Sequence, residues 1–199
     1  MEIVRLHRPG LVFISETKCK ARRCDRIKES LNYHGLGVDS VGKGRELLLL
    51  WRKDIDVWLQ SFSAHHIDVT VKSDDCPARW RFTNFYGYSE LAKRKEGWDL
   101  LRRLSQTFVR PWLCAGDFNE VLAQHEKQGA FHVLNSKLGT FATICKIVGF
   151  KTLDTKNPHM VRARLDRACG DQQWGALFPM AACLPRTFLA QTMRLFGCL

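Results

Sequence analysis

Short apolar runs and period-two alternation dominate the first two thirds of the chain, the pattern of half-buried and buried strands. Leu11 to Ser15 is a compact apolar run that ends at Glu16, and Leu47 to Trp51 predicts a buried strand. Ile55, Val57 and Leu59 alternate with polar residues; Ile67, Val69 and Val71 repeat the pattern; Trp80, Phe82 and Phe85 lead into Tyr86. Turn residues separate these runs at Lys53 and Asp54 and again from Asp74 to Pro77. Together they predict an antiparallel meander. The period then changes. Trp98, Leu101, Leu104 and Phe108 make a helical stripe that Pro111 stops, and Trp112 to Ala115 reads as the next strand. Leu138, Phe141, Ala142, Cys145 and Val148 form a second stripe, with Gly149 placed to end it. Arg162 to Ala168 is a weaker strand candidate. After Asp171 there is no acidic residue and no clear period, so no element is predicted there. Without repeats or a Pro/Gly/Ser linker, the pattern describes one α/β domain rich in antiparallel sheet.

Composition narrows the function class. The 199 residues suffice for one domain with a substantial core, and 45% apolar with 26% charged residues is globular usage. A net charge of +11 favours polyanionic partners, nucleic acid before acidic membranes. The eight cysteines form no C-x-x-C pair and no zinc pattern with histidine. The opening M-E-I-V-R-L-H-R-P-G lacks a signal-peptide core, which predicts an intracellular, reducing location. The longest apolar runs are far too short to span a bilayer, so no membrane partner is expected.

Candidate chemistry lies where the strands end. Glu16 follows L-V-F-I-S, Tyr86 ends F-T-N-F-Y, Asp117 and Asn119 follow W-L-C-A-G, and Asp166 sits in R-L-D-R. Strand ends of one sheet converge on a rim. Carboxylates, an amide and a phenol on such a rim suit a hard cation and a phosphate. Taken singly, each has a plainer reading. Glu16 could be a solvated carboxylate, Tyr86 an interior tyrosine, Asp117 with Asn119 an Asx-turn, and Asp166 an ion-paired residue.

Their order along the chain decides between these readings. S-E-T-K, N-F-Y-G, G-D-F-N-E and R-L-D-R-A resemble the endonuclease/exonuclease/phosphatase superfamily. The phrases P-G-L-V-F-I-S-E-T-K, S-F-S-A-H-H-I-D-V, W-R-F-T-N-F-Y-G and P-W-L-C-A-G-D-F-N-E look most like the endonuclease domain of plant non-long-terminal-repeat (LINE-type) retrotransposons. The resemblance covers roughly Arg8 to Phe178. It implies a four-layered α/β sandwich of two mostly antiparallel sheets, and cleavage of DNA dependent on Mg²⁺ or Mn²⁺. It also implies roles. Glu16 would hold the metal and Tyr86 would stand beside the scissile phosphate. Asp117 would orient or deprotonate the attacking water, Asn119 would bond the phosphate, and Asp166 would support a catalytic histidine.

The departures carry equal weight. The family's first strand, ending in a metal-holding asparagine, would precede Met1. After Leu184 the chain reads P-R-T-F-L-A-Q-T-M-R in place of Ser-Asp-His, with no histidine beyond His159. Only K-T-L-D-T-K-N-P-H-M-V-R-A stands where a strand pair is usual. The expectation is a partial domain over residues 1–178, a divergent tail over 179–199, and a degenerate endonuclease with little or no activity. Two alternatives are a non-catalytic nucleic-acid-binding module and a phosphatase of the same superfamily. If the protein functions on DNA, it belongs in the nucleus. Nothing in the sequence sets an oligomeric state.

The basic segment from Lys18 to Lys28 offers Lys18, Lys20, Arg22 and Arg23 as phosphate contacts, or else a solvated helix face. His65 and His66, followed by Ile67 and Val69, read as a strand start rather than metal ligands.

Overall fold

A computed structural model describes residues 2–15, 21–38, 47–107, 109–120, 139–153 and 166–181. Two sheets carry the fold. In the smaller one β1 (Leu11–Ser15) and β2 (Tyr33–Val38) flank β3 (Leu47–Arg52), both antiparallel to it. The larger one contains β4 (Asp56–Ser63), β5 (His66–Ser73), β6 (Cys76–Tyr86), β7 (Trp112–Asp117), β8 (Lys151–Thr152) and β9 (Asp166–Gly170), in the order β4-β5-β6-β7-β9-β8. The pairs β4–β5 and β5–β6 are antiparallel, as the alternation predicts. The run Leu47–Trp51 does not join them: β3 lies in the other sheet, so the expected meander is divided between two sheets. Strand pairing depends on partners distant in sequence, which alternation alone does not specify.

β6 and β7 pair in parallel, so the chain must cross over between them. It does so through α3 (Arg94–Thr107). Trp98, Leu101 and Leu104 recur along one side of α3 and are buried against the outer face of the larger sheet. Phe108, the predicted end of that stripe, lies outside the described residues. α4 (Gly139–Val148) packs beside α3 through Phe141, Ile144 and Cys145, and Gly149 follows it at φ +74°. Leu138 lies outside the described residues. On the smaller sheet's outer face, α1 (Glu2–His7) contributes Val4 and α2 (Ala21–Leu31) contributes Cys24, Ile27 and Leu31. Asp25, Arg26 and Glu29 of α2 stay exposed, whereas Lys18 and Lys20 and the side chains of Arg22 and Arg23 lie outside the described residues.

Three apolar layers result. α1 and α2 cover the smaller sheet, the two sheets face each other through Phe13, Leu47, Leu49, Ile67, Val69 and Phe82, and α3 and α4 cover the larger sheet. This is the four-layered sandwich the resemblance implies. Filling a layer with fully buried Leu, Ile and Phe contributes about 1.5–3 kcal/mol per side chain. One polar network ties the larger sheet to α3. Arg81, 1% exposed, donates to both carboxylate oxygens of Asp68 at 2.8 and 2.9 Å and to the Leu104 carbonyl near the C-terminal end of α3 at 2.6 Å.

Two further differences from the sequence reading have local causes. Leu59 is 45% exposed because β4 is an edge strand whose register slips between Leu59 and Ser61. β9 is described from Asp166, and residues 162–165, the predicted start of that strand, lie outside the described residues. The region after Asp171 does hold a helix, α5 (Gln172–Leu177). Asp171 caps it, its Oδ1 accepting from the Trp174 N–H at 2.7 Å, and Trp174 closes the layer between the sheets against Trp80 and Phe178.

Candidate active site

Three of the sequence-predicted residues stand side by side. In the β6–β7 register Tyr86 is opposite Asp117, and in the β7–β9 register Asp117 is opposite Asp166. Alternation fixes the face they share. Trp80, Phe82 and Tyr86 of β6, Leu113 and Ala115 of β7 and Ala168 of β9 belong to the layer between the sheets. Asp117 and Asp166 continue that parity at the ends of their strands. The intervening Phe85, Cys114 and Cys169 face the helices. The Asp166 side chain lies outside what the structure describes.

The turn after β7 is locked to the turn after β6. Gly87 N–H donates to the Asp117 carbonyl at 2.6 Å, and Asn119 Nδ2 donates to the Gly87 carbonyl at 3.0 Å. A Cβ on Gly87 would come within 2.5 Å of the Phe118 carbonyl oxygen, so only glycine allows this approach. Asp117 Oδ1 accepts from the Asn119 N–H at 2.7 Å, the bond of an Asx-turn. Asn119 adopts φ +53°, which asparagine tolerates better than most residues. G-D-F-N therefore forms the Asx-turn of the plain reading, and that turn fixes the Asp117 carboxylate beside the Asn119 carboxamide. One amide hydrogen of Asn119 is used on Gly87, and the second can serve a ligand oxygen.

Tyr86 is 8% exposed, and its strand end is braced from β5. Tyr86 N–H donates to the His65 carbonyl at 2.9 Å, and His65 Nδ1 lies 2.7 Å from the Tyr86 carbonyl oxygen. His65 stacks on Tyr88 with ring centroids 3.8 Å apart. His66 begins β5, held between the hydroxyls of Ser61 and Ser63 at 2.9 and 2.8 Å. The histidine pair thus serves the strand start, as its sequence context predicts. On the other side of Asn119, Glu120 is buried, and burial pushes its carboxyl up, with Arg94 and Arg167 acting in the opposite direction.

Glu16, the expected metal ligand, and Lys18 and Lys20, expected phosphate contacts, lie outside the described residues. Arg22 and Arg23 sit in the first turn of α2, their side chains likewise outside the description. Among the described residues no three His, Cys, Asp or Glu side chains gather as metal ligands. The donor chemistry is nonetheless that of a hard cation. Asp117 and Asn119 supply oxygen, and the nearby Asn84 carboxamide is buried with both polar atoms unpaired. The sequence reading passed over Asn84; its only signal was a carboxamide inside an otherwise strand-like run, W-R-F-T-N-F-Y.

Comparison with solved structures places this geometry in a known fold. The endonuclease domain of TRAS1, a telomere-specific non-LTR retrotransposon, superposes with TM-score 0.67 at 10% identity, covering 96% of this chain and 88% of that one. An endonuclease/exonuclease/phosphatase family protein from Bacteroides thetaiotaomicron gives 0.62 at 16% identity, covering 97% and 82%. An AP endonuclease from Archaeoglobus fulgidus gives 0.59 at 15%, covering 92% and 84%. No curated protein matches the sequence. The sequence profile of the endonuclease/exonuclease/phosphatase family matches residues 1–179. With its two-sheet sandwich and the rim of Tyr86, Asp117 and Asp166 positions, the chain belongs to the endonuclease/exonuclease/phosphatase family.

Proposed function

We propose that this chain is a phosphodiester hydrolase acting on DNA, of the retrotransposon-endonuclease type, dependent on a divalent cation and weakly active. The observation that carries the reading is the shared rung of Tyr86, Asp117 and Asp166 on three neighbouring strands. Supporting it are the net charge of +11 and the likeness to folds that include a retrotransposon endonuclease domain and an AP endonuclease.

In this reading Asp117, its rotation fixed by the Asn119 N–H, takes the proton of the attacking water. Asn119 donates its second amide hydrogen to a non-bridging phosphate oxygen, and Tyr86 flanks the same phosphate. Mg²⁺ or Mn²⁺, held by Glu16, would supply charge neutralisation at the phosphate. The weakness follows from the proton needed by the leaving oxygen. Residues 185–194, P-R-T-F-L-A-Q-T-M-R, stand in place of Ser-Asp-His and offer no histidine for it, and the lack of a general acid there costs about 10²–10⁴-fold in rate. A DNA substrate places the working protein in the nucleus.

The test is nicking of supercoiled plasmid. Slow conversion to open circles with Mg²⁺, stopped by EDTA and by Asp117→Ala, is the expected result. Nicking that survives Asp117→Ala rejects the assignment. Salt-sensitive DNA binding without any nicking identifies instead a non-catalytic binding module.

A further inference from the structure

Packing alone does not account for Asn84. On β6 the residues of its parity, Trp80, Phe82 and Tyr86, face the smaller sheet, whereas Arg81 and Phe85 face α3. Its register partners, Ile67 on β5 and Ala115 on β7, belong to the same apolar layer. The side chain is 1% exposed, yet neither Oδ1 nor Nδ2 has a hydrogen-bond partner. Buried carboxamides are nearly always paired, because burial removes the water that would otherwise satisfy them. A leucine would suit these neighbours better.

Position supplies the missing reason. Asn84 precedes Tyr86 by two residues, about 7 Å along a strand, so it lies one step beneath the rim on the face that carries Tyr86. Ala115, its partner on β7, precedes Asp117 by the same step. The floor under the Tyr86–Asp117 pair is therefore a small alanine beside an unpaired carboxamide. A water bound to a divalent cation is a strong hydrogen-bond donor, and Oδ1 is an acceptor with no donor. Nδ2–H can return a bond to an oxygen of the same shell.

We propose that Asn84 is a positioning residue of the site: its buried carboxamide holds the water shell of a divalent cation bound at the Tyr86–Asp117 rim. The inference rests on the metal-dependent reading above, and its test reads cation binding and stability rather than cleavage. Mn²⁺ binding followed by electron paramagnetic resonance, and thermal unfolding without cation, are compared for the wild type, Asn84→Leu and Asn84→Asp. Asn84→Leu should unfold at the same or a higher temperature without cation, since an unpaired polar group is removed. It should also bind Mn²⁺ about 10–100-fold more weakly, the usual cost of losing an outer-shell partner. Asn84→Asp keeps the acceptor and should bind Mn²⁺ at least as well as the wild type.

Asn84→Leu binding Mn²⁺ within about threefold of the wild type overturns the proposal. So does a cation-free loss of stability in Asn84→Leu, which would mean that a structural water already satisfies the amide. Weakened binding in Asn84→Asp overturns the acceptor role. A wild type that binds no Mn²⁺ rejects this proposal and the metal-dependent reading together, whereas wild-type binding with an unchanged Leu variant rejects this proposal alone.

Discussion

Gly116 directly precedes Asp117 and lies opposite Phe85, and its backbone does what no other residue could do there. Its φ is +148°, and a Cβ at that position would come within 2.0 Å of the Phe85 carbonyl oxygen on β6. The parallel β6–β7 contact, and with it the opposition of Tyr86 and Asp117, depends on that approach. Gly116→Ala should cost about 3 kcal/mol, near the upper end of ordinary single-site effects, because an unfavourable φ and a backbone clash act together. Urea unfolding measures it; a loss below about 1 kcal/mol would mean that β7 shifts aside without penalty. The same local chemistry was legible in the sequence: G-D-F-N announces a turn, and the structure shows the Asx bond that makes it one. Asn84 was not legible. A carboxamide in a strand-like run becomes conspicuous only when its register partners, Ile67 and Ala115, prove apolar and neither polar atom finds a hydrogen bond.

At the scale of elements, the β4–β5 hairpin behaves as a brace with a titratable core. His66 is 5% exposed between Ser61 and Ser63, and burial holds its imidazole below the ordinary value of 6.5, with Asp68 acting in the opposite direction. A depressed histidine contributes stability that is present above its unfolded value and lost as pH falls through its folded one. Melting temperature should therefore fall as pH drops from about 7 to about 5, and the slope should be shallower in His66→Gln. Equal slopes would place the acid sensitivity in other groups. Elements with a strong period were readable in advance: β1, β3, α3 and α4 all fall where apolar spacing puts them. β2 was missed because Y-H-G-L-G-V contains two glycines and mixes exposed with buried positions. α5 was missed because a six-residue helix carries too little period, although Asp171 announces its cap. The assignment of strands to two sheets is non-local and lay beyond any window of sequence.

At the scale of the whole molecule, the proposed function requires both capture of DNA and its cleavage. Among the described residues no helix is long and apolar enough to cross a membrane, and the excess of 11 positive charges favours a polyanion. Neutralising phosphates releases counterions, which makes affinity fall with salt at a slope set by the number of contacts. If Lys18, Lys20, Arg22 and Arg23 each meet one phosphate, their share of the slope of log K against log salt is about −3.6. That share alone weakens binding about 100-fold between roughly 50 and 200 mM salt. Replacing all four by alanine should flatten the measured slope by about that amount at every DNA sequence, since phosphate contacts carry no base information. Asp117→Ala should leave the slope unchanged while ending cleavage, because a carboxylate neutralises no phosphate and so releases no counterion. An unchanged slope in the fourfold variant would move the DNA track elsewhere on the surface, for which the exposed Lys95 and Arg103 of α3 are the next candidates. On the proposed function, capture and cleavage are separable by mutation, the long-range field drawing in the duplex and the Tyr86–Asp117 rim acting on the captured phosphate.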